Sequence, residues 1–149
     1  MRVSKIYVGG SLSNPDIIHI TKLLMKEGHD VFSSWFTPGP EADEHWRDYE
    51  KELGYSYREA LRRPAAQNIF HFDKRWIDWS DVFVMVMPCG KSAHLELGYA
   101  VGTGKETIVY MPEEPERYDV MLAFADAIVY GDEELVQAAN GESGEWEIP

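Results

Sequence analysis

The chain has 149 residues, a formal net charge of -12, one cysteine and 13% aromatic residues, five Trp among them. That length fits one domain able to bury a proper core, and the charge repels phosphate backbones, which argues against a nucleic-acid binder but not against a small nucleoside. The lone Cys89 has no disulfide partner and no Cys/His pairing has zinc-finger spacing, so no staple, metal or cofactor is expected.

Nothing in the sequence approaches the roughly 20 apolar residues of a membrane span. The start MRVSKIYVGG lacks the apolar core and small-residue cleavage site of a signal peptide, so the expectation is a cytoplasmic protein. Val3 to Val8 is mostly apolar and alternates poorly, as a central strand does. Gly9-Gly10-Ser11 then makes a tight turn. Asn14 is placed to cap a helix with Pro15 at its first position and Asp16 in its first turn. Ile17, Ile18, Ile20, Leu23 and Leu24 give that helix an apolar stripe, and Gly28 closes it.

Val31 to Trp35 is short enough for an edge strand, and residues 37–42, TPGPEA, form a loop. Glu44 to Leu53 and Ser56 to Arg63 read as polar helices. A third starts at Pro64-Ala65 and runs through Ile69 and Phe72 to Trp79. The charge-free, partly β-branched run from Val82 to Met87 reads as a strand buried on both faces, broken by Cys89 and Gly90. Ser92 is placed to cap the next helix, in which Gly98 and Gly102 would let a neighbouring backbone approach and which Gly104 ends. Thr107 to Met111 is a second buried strand, so this stretch is a right-handed parallel crossover.

After the loop PEEPERYD, Val120 to Ala125 reads as one or two helical turns, Ala127 to Tyr130 as a last strand and Asp132 to Ala139 as a short helix. Residues 1–140 are taken as the domain and 141–149 as a tail able to dock through Trp146 and Ile148. Strands alternating with helices give an α/β fold of the flavodoxin-like, doubly wound kind. It has about five mostly parallel strands in the order 2-1-3-4-5. In that order Gly9 to Ser13 and Pro88 to Glu96 face one crevice.

Several motifs weigh little. Gly90-Lys91-Ser92 resembles the end of a phosphate-binding loop, but Met85 stands where its first glycine belongs. Gly102-Thr103-Gly104 follows a helix, which a helix terminus explains. Cys89 reads as a small buried thiol, His94 as a packing or capping residue, and Asp78 as a helix-surface acid. Glu96 has two readings. One is an acid in the first helical turn that complements the helix dipole, which would also keep it ionised; the other is a ligand-facing carboxylate beyond the end of a buried strand.

Read together, three pieces resemble the nucleoside 2-deoxyribosyltransferase family, with its relatives that hydrolyse deoxynucleoside monophosphates. They are Ile6-Tyr7-Val8-Gly9-Gly10-Ser11, then Asp73, Ile77 and Asp81 at fourfold spacing before a buried strand. The third is Glu96-Leu97-Gly98-Tyr99-Ala100 with Gly104-Lys105. The resemblance covers most of the chain in order and implies an enzyme that cleaves the N-glycosidic bond of 2-deoxynucleosides. Glu96 would be the nucleophile that takes the sugar, Asp73 the acid that protonates the departing base, and Tyr7 the hydroxyl that orients Glu96.

The crevice makes Gly9, Gly10, Ser11, Gly90, Lys91 and Ser92 the expected substrate contacts, and Trp35, Phe36 and Trp46 of the loop region the expected rings for the base. The family resemblance further implies a homo-oligomer with shared active sites, in which a neighbouring subunit's Asp119 reaches the 5-position of the sugar. Asp119 could equally cap the turn at Val120. Gly90 departs from the family's Asp or Ser at that position. A carboxylate at 119 favours a free nucleoside, whereas Lys91 favours a nucleotide. Transfer of the sugar to another base is the main expectation. Hydrolysis of deoxynucleoside monophosphates, or a nucleotide-binding module without catalysis, are the alternatives.

Overall fold

A computed structural model describes residues 2–149. Five strands form one sheet in the order β2-β1-β3-β4-β5, namely β1 (Lys5–Gly9), β2 (Asp30–Phe32), β3 (Val82–Val86), β4 (Glu106–Met111) and β5 (Ala127–Tyr130). All four pairings are parallel, with Gly9 beside Met85 and Val86 beside Tyr110. The expected α/β architecture and strand order are those observed. Its cause is visible in the sequence, since β3 is buried at every position and so reads as an unbroken apolar run.

The described residues hold six α-helices, five between strands and the last after β5: α1 (Asp16–Lys26), α2 (Ala42–Glu52), α3 (Tyr57–Ala60), α4 (Pro64–Trp79), α5 (Lys91–Gly102) and α6 (Gly131–Ala139). Alternate strand residues feed two cores. Ile6, Val8, Val84 and Ile108 pack with Ile17, Ile20 and Leu24 of α1 and Leu135 of α6. Tyr7, Phe83, Met85 and Val109 pack with Ile77 of α4 and with Ala93, Leu97 and Ala100 of α5. The helices bearing Asp73 and Glu96 therefore cover the same face. Among the described residues no helix is long and apolar enough to cross a membrane.

The details correct several local expectations. Asn14 does cap α1, its Oδ1 accepting from the Asp16 N–H at 2.9 Å. Strand β2 stops at Phe32 and a 3-10 turn takes Ser34–Phe36, so Trp35 is not in a strand. The helix expected from Ser56 to Arg63 shrinks to the four residues of α3, closed at its start by a Ser56/Glu59 capping box. Pro64 forces Arg63 into an extended backbone and ends it. Ser92 does not cap α5: Gly90 occupies that position and offers no side chain. Gly98 and Gly102 face open space, so no backbone approaches them.

The close approach occurs instead at Gly9 and Gly10. A Cβ on Gly9 would lie 2.8 Å from the Phe83 ring, and one on Gly10 would lie 2.7 Å from Cδ1 of Ile17 and 3.2 Å from the Val86 carbonyl. The chain's last residues turn back onto the sheet, where the Ile128 N–H donates to the Trp146 carbonyl and the Ile148 N–H to the Asp126 carbonyl. Trp146 and Ile148 pack against the two cores.

Candidate active site

The crevice lies where the strand order reverses, between the carboxyl ends of β1 and β3. Two loops meet there. The Asn14 side-chain amide, from the turn after β1, donates to the carbonyl of Pro88, after β3. Beside them Cys89, Gly90, Lys91, His94 and Leu95 line an open pocket of about 560 Å³.

Tyr7 is fully buried beneath this crevice, its ring stacked on Phe83 at 5.2 Å and tilted against Phe32 at 5.5 Å. Its hydroxyl donates to Oε2 of Glu96 at 2.9 Å. Glu96 is the sixth residue of α5, in the second turn rather than the first, and the dipole does not govern its ionisation. Burial instead raises its pKa to about 7; the Tyr7 hydrogen bond opposes that rise and the negative charge of Asp73 adds to it. Asp73 is half-buried on α4 and desolvation lifts its pKa to about 6.

Burial pushes the Tyr7 hydroxyl far up, helped by the charges of Glu96 and then Asp73. The Asp73 charge acts on both Glu96 and Tyr7, whereas the shift of Asp73 itself comes from burial alone. Two acids with raised pKa values around one buried hydroxyl can share a proton near neutral pH, and one of them can attack while the other donates.

The remaining candidates are spread more widely. Gly9 and Gly10 bring the turn against β3, and Ser11 bonds Ser13 through their hydroxyls at 2.8 Å. Gly90, Lys91 and Ser92 are exposed at the start of α5. Trp35 donates its Nε1–H to the carbonyl of Val8 at 2.7 Å, which holds the indole at the end of β1, with Phe36 edge-on to it. Trp46 lies elsewhere: it meets Tyr57 edge-on at 6.4 Å, and its buried Nε1 has no partner. Asp119 accepts from the Met121 N–H at 2.9 Å, the capping contact of the bland alternative.

Asp81, the last acid of the spaced triplet, accepts from the Lys5 N–H and staples the start of β1, while Ile77 is buried in the core. The Cys89 thiol is raised to about 11 by burial and by the Glu96 charge, which suits a packing role better than a nucleophile. His94 reaches the Gly90 carbonyl through Nδ1 at 2.7 Å. Among the described residues no group of three or more His, Cys, Asp and Glu could hold a metal ion.

Sequence reading missed the lining of the pocket by Cys89, His94 and Leu95, and it missed the engagement of Asp78 with α5. Nothing in spacing alone announces either, because each depends on how two helices sit on the sheet.

The architecture has known counterparts. The 2-deoxyribosyltransferase of the psychrotolerant bacterium Bacillus psychrosaccharolyticus matches with a TM-score of 0.60 at 20% identity, over 89% of this chain and 90% of that one. The CMP N-glycosidase of Clostridium botulinum matches with a TM-score of 0.55 at 15% identity, over 91% of this chain and 98% of that one. This chain shares their fold. No family model and no curated protein sequence matches it.

Proposed function

We propose that this protein cleaves the N-glycosidic bond of 2-deoxynucleosides and passes the sugar to another base. The observation that carries this is the Tyr7 hydroxyl bonded to Glu96, with Asp73 close enough to raise the pKa of both. A carboxylate oxygen of Glu96 attacks the anomeric carbon as the bond from that carbon to the base nitrogen breaks. Asp73 gives its proton to the departing base. A nitrogen of the incoming base then attacks the same carbon, its proton returns to Asp73 and the Glu96 carboxylate is released, so the configuration is retained. The two named counterparts, a deoxyribosyltransferase and a CMP N-glycosidase, support the class of bond.

In this reading the first turn (Gly9, Gly10, Ser11) and the start of α5 (Gly90, Lys91, Ser92) contact the sugar, and the Trp35 ring contacts the base. The support is their position around the crevice. The protein works in the cytoplasm, where a lone thiol such as Cys89 stays reduced. It also forms a homo-oligomer. Leu95, in the lining of the pocket, is 75% exposed, and Val120 and Phe124 are 77% and 67% exposed, apolar side chains that a subunit contact would cover. Asp119 adjoins Val120 in sequence and would come to a neighbour's site with it.

The hydrolytic reading differs in its acceptor, with water in place of the second base, and exposed Lys91 favours a nucleotide for it. Incubating the protein with a deoxynucleoside and a different free base separates the two. Exchanged nucleoside supports transfer, free deoxyribose supports hydrolysis, and ligand binding with neither product supports a module that binds without catalysis.

A further inference from the structure

Helix α4 holds Asp73 opposite Glu96, yet Ile77 is its one fully buried residue. Its aromatic packing is to the sheet, with Trp76 stacked on Phe32 at 4.5 Å and Phe72 edge-on to the same ring at 5.7 Å, so these contacts tie α4 to β2 and not to α5. A polar cluster at the far end of α4 supplies the missing constraint. The hydroxyl of Tyr99, in α5, donates to Oδ1 of Asp78, in α4. Lys74 donates to the other carboxylate oxygen at 3.0 Å, and its ammonium lies 5.2 Å from the centre of the Tyr99 ring. Lys105, just before β4, donates to the backbone carbonyl of Asp78 at 2.8 Å. Residues of α4, of α5 and of the approach to β4 thus converge on one aspartate.

The placement relative to the acids is what gives this cluster meaning. Tyr99 follows Glu96 by three residues and so lies on the same side of α5 one turn away, about 4.5 Å along the axis. Asp78 follows Asp73 by five residues on α4, about 7.5 Å along its axis and roughly 140° around it, so it acts on Asp73 through the helix backbone and not from the same face. Each helix therefore carries one acid of the site and, a turn or so beyond, one half of a clasp. We infer that the Tyr99–Asp78 hydrogen bond, completed by Lys74 and Lys105, is a positioning device that sets the separation of Asp73 and Glu96. Tyr99 and Asp78 act through the helices they join and do not touch the substrate.

This inference rests on the proposed glycosidic chemistry for its consequence but not for its geometry, and the experiment reads the two separately. In protein labelled with carbon-13 at the side-chain carboxyls, Asp73 and Glu96 are titrated by NMR in the wild type, in Tyr99→Phe and in Asp78→Asn. Release of base from a deoxynucleoside is measured on the same samples. Loosening the clasp should move both titrations towards ordinary carboxylate values, because the acids separate and admit water. It should also lower kcat by 10-fold or more, since a misplacement near 1 Å costs about 10²-fold, while KM stays within about twofold. Asp78→Glu should restore part of the loss.

Unchanged titrations in variants that merely melt at lower temperature would overturn the positioning role. Shifted titrations in a protein whose wild type releases no base would uphold the clasp and remove the proposed reaction.

Discussion

The hydroxyl of Tyr7 and the carboxylate of Glu96, 89 residues apart in sequence, meet at 2.9 Å under the crevice at the sheet's switch point. Tyr7 reaches it from the buried centre of β1, and Glu96 from the second turn of the helix that follows β3. A donor fixed in the core therefore aims a carboxylate that burial would otherwise protonate. The pKa of Glu96 is pulled up by desolvation and held down by this bond, so it comes to rest at about 7.

Activity should pass through a maximum in mildly acidic solution. Glu96 must be ionised to attack and Asp73 protonated to donate, yet their values stand at about 7 and about 6. The productive form is the one with the proton on Asp73, so kcat/KM should rise with pH through the lower apparent pKa of the pair and fall through the upper, both belonging to the coupled pair. A pH–rate profile checks this; a plateau extending to pH 9 is the opposite result.

Tyr7→Phe should keep the fold, because the ring stack on Phe83 survives. The lost charge-assisted hydrogen bond is of the kind worth about 1.5–3 kcal/mol, so kcat/KM should fall by roughly 10- to 100-fold. The alkaline limb of the profile should also move to higher pH, since Glu96 has the higher pKa of the pair and the one interaction that lowers it has gone. Steady-state kinetics across pH measures both effects.

Glu96→Gln should make the protein more stable in alkaline solution while abolishing its activity. The folded pKa of about 7 lies above the ordinary 4.5, so the folded chain holds this proton longer than the unfolded one. Stability then falls as pH rises from about 4.5 to about 7 and stays reduced above that, by about 1–3 kcal/mol. Thermal melts of the two proteins should coincide near pH 4 and separate by pH 8, with the variant higher.

Gly10→Ala should destabilise, since the added methyl meets Ile17 and the Val86 carbonyl, and the backbone cannot yield as a side-chain tip can. Overpacking of this kind costs about 1–3 kcal/mol. Urea unfolding should show the loss. The equivalent change at Gly98, which faces open space, should leave stability unchanged or slightly raised, because it sits inside a helix.

The sheet was legible because Val82 to Val86 and Thr107 to Met111 are apolar without a break, and only a doubly covered parallel sheet buries such runs. Glu96 stood out by its place beyond the end of a buried strand, and Asp73 and Tyr7 only through the family resemblance of the motifs around them. What could not be read was the effect of burial. The helix dipole predicts an ionised Glu96, whereas desolvation in the second turn of α5 outweighs it. The Glu44 to Leu53 helix is α2, whereas the helix read over Ser56 to Arg63 is shorter for a local reason, the hold of Pro64 on the residue before it. Asp78 looked solvated because its partner, Tyr99, lies on another helix.

In the proposed reaction Glu96 takes the sugar covalently. Intact-protein mass spectrometry after brief mixing with a deoxynucleoside, followed by acid quenching and peptide mapping, tests it directly. A single deoxyribosyl adduct on the peptide containing Glu96, absent in Glu96→Ala, is the predicted result. Release of free base by wild-type protein with no adduct at any mixing time, or equal release by Glu96→Ala, would contradict it.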